Sequence, residues 1–284
     1  MVTGVPTGDR VRFLLGTHQP GWLATAGVPL FVSDTRLRAY RRLPQATTGW
    51  ACDSGGFSEL QRFGTWTITP QAYVARLRRY RDDIGHLLWA APQDWMCEPL
   101  IIGGGHVGPL RFAGTHLSVA EHQHRTVANY AHLRDLAPDL PIIPVVQGYT
   151  TDDYQRCVEL YWSMLRLDLS TVPLVGVGSV CRRQATAEAG HILTALHTMG
   201  LHRLHGFGIK TLGLAAHGHL LTSADSMAWS IDARHRAPLP GCHGHRNCAN
   251  CLRYALTWRT NVLTRTCTTP PQPTLFDHVE GHQS

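Results

Sequence analysis

Short apolar, β-rich runs alternate with stretches of helical period along almost the whole chain, the pattern of repeated parallel βα units. Eight runs read as strands: Arg12–Gly16, Val28–Ser33, Trp50–Asp53, Leu87–Asp94, Pro141–Gly148, Leu174–Val180, His205–Lys210 and Ser226–Ser230. Eight is the number that closes a (β/α)8 TIM barrel, and that is the expected α/β fold. The intervening helices carry their own signals. Tyr73, Leu77, Tyr80 and Ile84 fall on one face after Pro70, at helical spacing. Ser118 opens a helix to Leu136 with a Ser-x-x-Glu capping pattern, and Thr150 opens another to Leu165 with two acids in its first turn. The segment from Thr186 to Met199 stops at Gly200, a natural C-cap. After Arg236 the alternation breaks. The expected division is a barrel over residues 1–236, a Pro/Gly/His/Cys-rich segment with one helix (Cys251 to about Leu263) over 237–265, and a polar, Pro-rich tail over 266–284 read as disordered.

Composition narrows this picture. The 284 residues are 43% hydrophobic, enough for one large core. Lys and Arg exceed Asp and Glu by 6, a modest basic excess that suits a polyanionic partner. No apolar run approaches the roughly 20 residues of a membrane span, and the N-terminal MVTGVPTGDRVRF lacks the apolar core of a signal peptide. The expected location is therefore cytoplasmic, where cysteines stay reduced.

In such barrels chemistry sits at the C-terminal strand ends. Here those ends read Asp53-Ser54-Gly55-Gly56, Gln93-Asp94, Gln147-Gly148, Gly176-Val177-Gly178 and Gly206-Phe207-Gly208, with Asp225 beside the last strand. Glycines let backbone N–H groups approach a flat ligand, and Phe57 can form a wall. Asp94 accepts from N–H groups, while the Gln147 amide donates and accepts. Together they complement the edge of guanine. The plainer reading of each strand-end Asp is a helix N-cap.

These residues carry a resemblance. DSGGF at 53–57, VVQG at 145–148, VGVG at 175–178, HGFGIK at 205–210 and Asp94 in PQDWMCEP resemble, in order and spacing, the motifs of tRNA-guanine transglycosylases. LGTHQPGWL at 15–23, PLFVS at 29–33, CDSGGFSEL at 52–60 and SADSMAWS at 223–230 are similar to the DpdA-type branch, which acts on DNA. The resemblance implies a glycosyltransferase that exchanges guanine in DNA for a 7-deazaguanine, the 7-cyano form being expected. It assigns base binding to Ser54, Gly55, Phe57, Asp94, Gln147, Gly148, Gly176 and Gly178. The Phe-Asp-Cys context of the tRNA enzymes' nucleophile is absent; Asp225 is the best positional match and Asp232 the next. Retaining displacement at C1′ then needs a carboxylate nucleophile, Asp225, and a general base, Asp53. His18, Trp22 and the run Arg36–Arg42 are candidates for contacts to the strand.

Cys242-x5-Cys248-x2-Cys251 supplies three thiolates at zinc spacing, with His245 as fourth ligand ahead of His243 and Cys267. With no open position beside the carboxylates, the zinc is read as structural. A disulfide does not suit the reducing compartment. Competing functions are a tRNA-type transglycosylase, a catalytically inactive nucleic-acid-binding barrel, and a metal-dependent barrel hydrolase suggested by the 18 histidines. In the tail, Gln272-Pro273-Thr274-Leu275-Phe276 resembles the short peptides that dock bacterial DNA enzymes on the sliding clamp, a further expected partner.

Overall fold

A computed structural model describes residues 11–183 and 186–268. Its frame is one sheet of eight parallel strands: β1 (Arg12–Thr17), β2 (Leu30–Ser33), β3 (Trp50–Asp53), β4 (Leu87–Ala90), β7 (Val145–Val146), β8 (Val175–Val177), β9 (Leu204–Gly206) and β10 (Ser223–Ser226). Their order is β4-β3-β2-β1-β10-β9-β8-β7. The sheet curls, and its two edges meet at one parallel bridge between Ala90 and Ile142. There Ala90 N–H donates to Pro141 O at 3.0 Å and Ile143 N–H to Ala90 O at 3.1 Å.

The period-2 alternation of each strand decides which side chains enter the concavity. Phe13 and Leu15, Leu30 and Val32, and Trp50 and Cys52 pack outward in the main core. Their alternates Leu14, Phe31 and Ala51 form a second cluster with Trp89, Ala91 and Ile143. The same alternation turns Asp53 and Asp225 inward, because Cys52 and Ala224 belong to the outer core.

The outer faces are covered by α1 (Asp34–Leu37), α2 (Gly56–Phe63), α3 (Pro70–Ile84), α5 (Val119–Leu136), α6 (Thr151–Leu165), α7 (Ala187–Thr198), α8 (Thr211–His217), α9 (Ala228–Arg234) and α10 (Leu252–Thr268), with α4 (Pro99–Gly103) in a loop. Their starts follow the capping signals. The Thr69 side chain accepts from Ala72 N–H, Ser118 from Glu121 N–H, and Thr186 from Ala189 N–H. Thr150 and Asp153 cap each other reciprocally.

The eighth strand differs from its expected bounds. It spans Ser223–Ser226, not Ser226–Ser230, because Ser226 Oγ accepts from Ala228 N–H at 3.2 Å and turns the chain into α9. Trp229, expected in that strand, is buried from the helix and donates to Gly16 O at 2.8 Å. Asp225 thereby lies inside the strand, paired in register with Leu14 of β1. An antiparallel hairpin, β5 (Gly105–Val107) and β6 (Leu110–Phe112), was not legible as apolar alternation. α10 runs into the expected tail, and the clamp-like Gln272–Phe276 stretch lies outside the described residues. No helix among the described residues is long and apolar enough to cross a membrane.

Candidate active site

At the C-terminal strand ends the curled sheet encloses a cavity of about 230 Å³. Of the residues singled out from sequence, Asp53, Phe57, Asp94, Gln147, Gly178 and Asp225 line it. Phe31, Ala91, Met96, Glu98, Ser179, Cys181, Phe207 and Gly208 complete the wall. Among the described residues this lining holds four carboxylates and no Lys, Arg or His. A larger cavity of about 380 Å³ lies apart, bordered by Asp232, Arg236, Tyr254 and Trp258 among others.

Asp94 is held on a braced loop. Trp66 Nε1 donates to its carbonyl at 3.1 Å, Asn129 Nδ2 to Gln93 O at 2.8 Å, and Trp95 N–H to Thr126 Oγ1 at 2.8 Å. Its carboxylate accepts from Gln147 Nε2 at 2.5 Å. Gln147 Oε1 in turn accepts from Ser179 Oγ at 2.7 Å, and the Gln147 carbonyl accepts from Gln123 Nε2 at 2.7 Å. Burial pushes the Asp94 carboxyl up to about 7 against the lowering effect of the Gln147 amide, and the charges of Asp53 and Glu98 push the same way. Gly178 makes this arrangement possible, since a Cβ there would overlap the Gln147 amide.

Asp53 is raised above the ordinary carboxylate range by burial first, opposed by hydrogen bonds from the Ser33 hydroxyl and the Gly55 N–H, with the Asp225 charge adding to the rise. Gly55 adopts φ +81 as the N-cap of α2, and a Cβ there would lie 2.6 Å from Thr35 Cγ2. Gly55 thus supports the carboxylate from behind and is outside the lining. Ser54, Gly148 and Gly176 are also buried outside it. The Gly176 N–H pairs with Pro144 O at 2.9 Å and the Gly178 N–H with Val146 O at 3.1 Å, so both amides are spent on the sheet.

Asp225 Oδ1 accepts from Gly208 N–H at 3.0 Å. His205 Nε2 lies 3.3 Å from the same oxygen, and His205 Nδ1 lies 2.9 Å from Ser223 Oγ. This imidazole is fully buried, edge-on to Trp89 and Phe207 at 4.6 and 4.7 Å between ring centres. With the Ser223 hydroxyl donating to Nδ1, Nε2 carries the proton beside the carboxylate but makes no hydrogen bond. His205 was not assigned a role from sequence. The signal was present in the strand alternation, which sends both His205 and Asp225 inward.

Asp232 is elsewhere. It pairs with Arg236 at 2.9 Å and accepts from Tyr254 Oη at 2.6 Å. His18 and Trp22 are half-buried against Trp229: His18 stacks on it at 5.6 Å and bonds Asn250 at 2.5 Å, while Trp22 meets it at 5.1 Å. Within the basic run, Arg38 bonds the buried Glu59 at 3.3 Å, and Arg36, Arg41 and Arg42 are exposed.

Beyond the sheet, Cys242, His245, Cys248 and Cys251 bring their donor atoms within 4.8 Å of one another, the one such group of His, Cys or acids among the described residues. Cys242 and Cys251 sulfurs are 3.9 Å apart, and His245 Nε2 is 3.2 Å from Cys248 Sγ. Zinc bonds of about 2.3 Å to sulfur and about 2.0 Å to nitrogen require ligand atoms roughly 3.3–3.8 Å apart, so the donor set fits a tetrahedral ion. Leu239 N–H and Arg253 Nη2 donate to two of these sulfurs at 3.4 and 3.2 Å. The cluster can hold a metal ion and is compatible with structural zinc. His243 is not part of it. The described cysteines are free thiols, without disulfides.

No curated protein matches this chain. Solved structures that match include the carboxyl transferase domain of Rhizobium etli pyruvate carboxylase with 3-hydroxypyruvate, 13% identical over 94% of this chain and 49% of that one, at a TM-score of 0.37. The same domain with 3-bromopyruvate matches at 13% identity, the same coverages and a TM-score of 0.38. The chain thus spans about half the length of these structures, and no argument rests on likeness at such scores. A family model described as DeoxyPurine in DNA protein A matches residues 10–277. The chain belongs to that family, DpdA.

Proposed function

We propose that this protein is a DNA-guanine transglycosylase that exchanges guanine in DNA for a 7-deazaguanine, with 7-cyano-7-deazaguanine as the incoming base. The observation that carries the reading is the convergence of Asp94 with Gln147 and of Asp53 with Asp225 around one small pocket. The Ala90–Ile142 bridge and the apolar cluster inside the curl support a closed (β/α)8 barrel as the scaffold.

In the first half-reaction an Asp225 oxygen attacks C1′ and the C1′–N9 bond breaks. The electron pair goes to N9 of guanine, which takes a proton from Asp53. In the second, the Asp53 carboxylate removes N9–H from the deazaguanine, N9 attacks C1′ and the ester to Asp225 breaks. Two displacements give retention. The raised proton affinity of Asp53 suits a group that both gives and takes a proton. With Oδ1 held by Gly208 N–H and facing His205, Oδ2 is left for C1′. Lining carboxylates favour the positive charge that develops on the sugar. Ionised Asp94 accepts from N1–H and the 2-amino group, while Gln147 and the surrounding backbone fix the base plane.

Zinc at Cys242, His245, Cys248 and Cys251 is assigned a structural part. His18 ties the β1 exit to Asn250, between two of the ligands, so the metal loop supports the rim. The protein is proposed to work in the cytoplasm on DNA, with the Gln272–Phe276 stretch as a clamp-docking peptide.

The deciding experiment supplies 7-cyano-7-deazaguanine with duplex DNA, single-stranded DNA or tRNA and measures modified nucleosides by mass spectrometry. Modified deoxynucleoside with release of guanine is expected. Modification of tRNA alone would put the chain with the RNA enzymes, and the absence of both products would leave a binding barrel.

A further inference from the structure

We infer that the β5–β6 hairpin is a wedge that enters duplex DNA and holds open the place vacated by the target guanine; the inference rests on the proposed exchange in DNA. The hairpin leaves the loop that carries Asp94 and stands on the pocket wall. At its base Phe112 is buried with Leu60, Trp95 and Ile101, and its ring meets that of the pocket-lining Phe57 edge-on at 6.0 Å. Gln61 of α2 clamps both sides of this base: its amide donates to Arg111 O, and its carbonyl accepts from Ala113 N–H at 2.9 Å. Thr115 N–H to Ile101 O and His116 N–H to Ile102 O, each 2.9 Å, fix the exit strand.

The tip touches nothing comparable. Every residue from Gly105 to Arg111 is exposed, including Val107 at 47% and Leu110 at 52%. An unpacked two-stranded ribbon is marginal by itself, so its base must hold it in place. Val107 pairs directly with Leu110, and His106 with Arg111. Alternation then puts Val107, Leu110 and Phe112 on one face and His106 with Arg111 on the other. The apolar face runs from Phe57 through Phe112 to Leu110 and Val107, about 7 Å beyond Phe112 at strand rise. Gly108, at φ +55, and Pro109 close the turn. From Pro99 to Ala120 the chain has no acidic residue, and it carries Arg111, His106 and His116 on or beside the ribbon. This charge complements phosphates.

Duplex DNA is the occupant that matches these features together. A two-stranded ribbon fits a groove. Apolar side chains on rigid supports insert between base steps. A base taken out of the stack needs its place filled while it occupies the enzyme pocket. Continuity from the Phe57 wall to the tip places such a wedge beside an extruded guanine.

The test compares wild type, Val107→Ser/Leu110→Ser and Leu110→Met on three DNAs of one sequence: duplex, single strand, and duplex with an abasic site opposite the target guanine. Both substituted positions are exposed, so unchanged thermal unfolding checks the fold. The double variant is expected to lose about tenfold or more in exchange rate on the duplex and less than about twofold on the other two, with Leu110→Met near wild type. A 2-aminopurine beside the target should brighten in duplex with wild type and not with the double variant. Equal losses on all three DNAs, or none on the duplex, overturn the wedge while exchange stands. A dimer-to-monomer change without strand selectivity also overturns it, making the tip a contact between copies. Wild type that exchanges on no DNA overturns both the wedge and the proposed function.

Discussion

Asp94 offers a way to test the electrostatics of the pocket without any substrate. It is 5% exposed, and burial lifts its carboxyl to about 7 from the ordinary 3.8. At about 1.4 kcal/mol per pH unit, keeping it ionised costs the folded protein up to about 4 kcal/mol. The folded value lies above the unfolded one, so the neutral form favours folding at low pH. That advantage is lost as pH rises from about 4 through about 7. Asp94→Asn keeps the shape and an acceptor for Gln147 Nε2 but cannot ionise. Relative to wild type, the variant should therefore gain about 2 kcal/mol more stability at pH 8.5 than at pH 5.5, roughly 6 °C in Tm for a domain of this size. Thermal unfolding of both proteins at half-unit pH steps is the assay. Base affinity runs the other way, because the ionised carboxylate is the acceptor: wild type should bind guanine more tightly up to about pH 7, and the variant weakly throughout. A Tm difference that stays constant from pH 5.5 to 8.5 would falsify the raised Asp94.

Asp53→Asn removes the proton carrier and should slow both half-reactions by about 10²–10⁴-fold with little change in base affinity; a loss under about threefold excludes Asp53 from the chemistry. His205→Phe removes the buried N–H that lies 3.3 Å from Asp225 Oδ1 and should lower the exchange rate by about 10- to 100-fold at unchanged substrate KM. His205→Gln, whose amide can donate from a similar place, should restore much of it, and equal rates for the two variants would make His205 mere packing. The purified protein should carry one zinc per chain, and Cys248→Ser or Cys251→Ser should lose metal and thermal stability together. Metal-free protein with full stability contradicts the site.

The parallel strands and most of the site were legible because both follow local rules. Period 2 and capping residues placed β1 to β4 and the starts of α3, α5, α6 and α7. Strand-end positions then placed Asp53, Asp94, Gln147 and Asp225 on one rim. What escaped depended on long-range contacts. The eighth strand was misplaced because Trp229 is apolar in either reading, and only its bond to Gly16 O, far away in sequence, fixes it on a helix. Gly176 looked like a ligand-facing glycine, but Pro144 O takes its amide and Phe207 crowds its face. Alternation turned His205 inward, but its place beside Asp225 emerged only once β9 and β10 were paired. The hairpin had no alternation to betray it: Gly105, Gly108 and Pro109 interrupt the run.

The central claim is a covalent link between Asp225 and the deoxyribose of a departing guanine, and denatured-state mass analysis tests it most directly. Wild type mixed with guanine-containing DNA and quenched in denaturant should yield a protein–DNA adduct. Proteolysis should map it to the peptide containing Asp225, and 7-cyano-7-deazaguanine added before the quench should discharge it into modified DNA. Asp225→Asn should give neither adduct nor modified nucleoside. Full exchange by Asp225→Asn, or an adduct mapped to Asp232 or Asp53, would contradict the account.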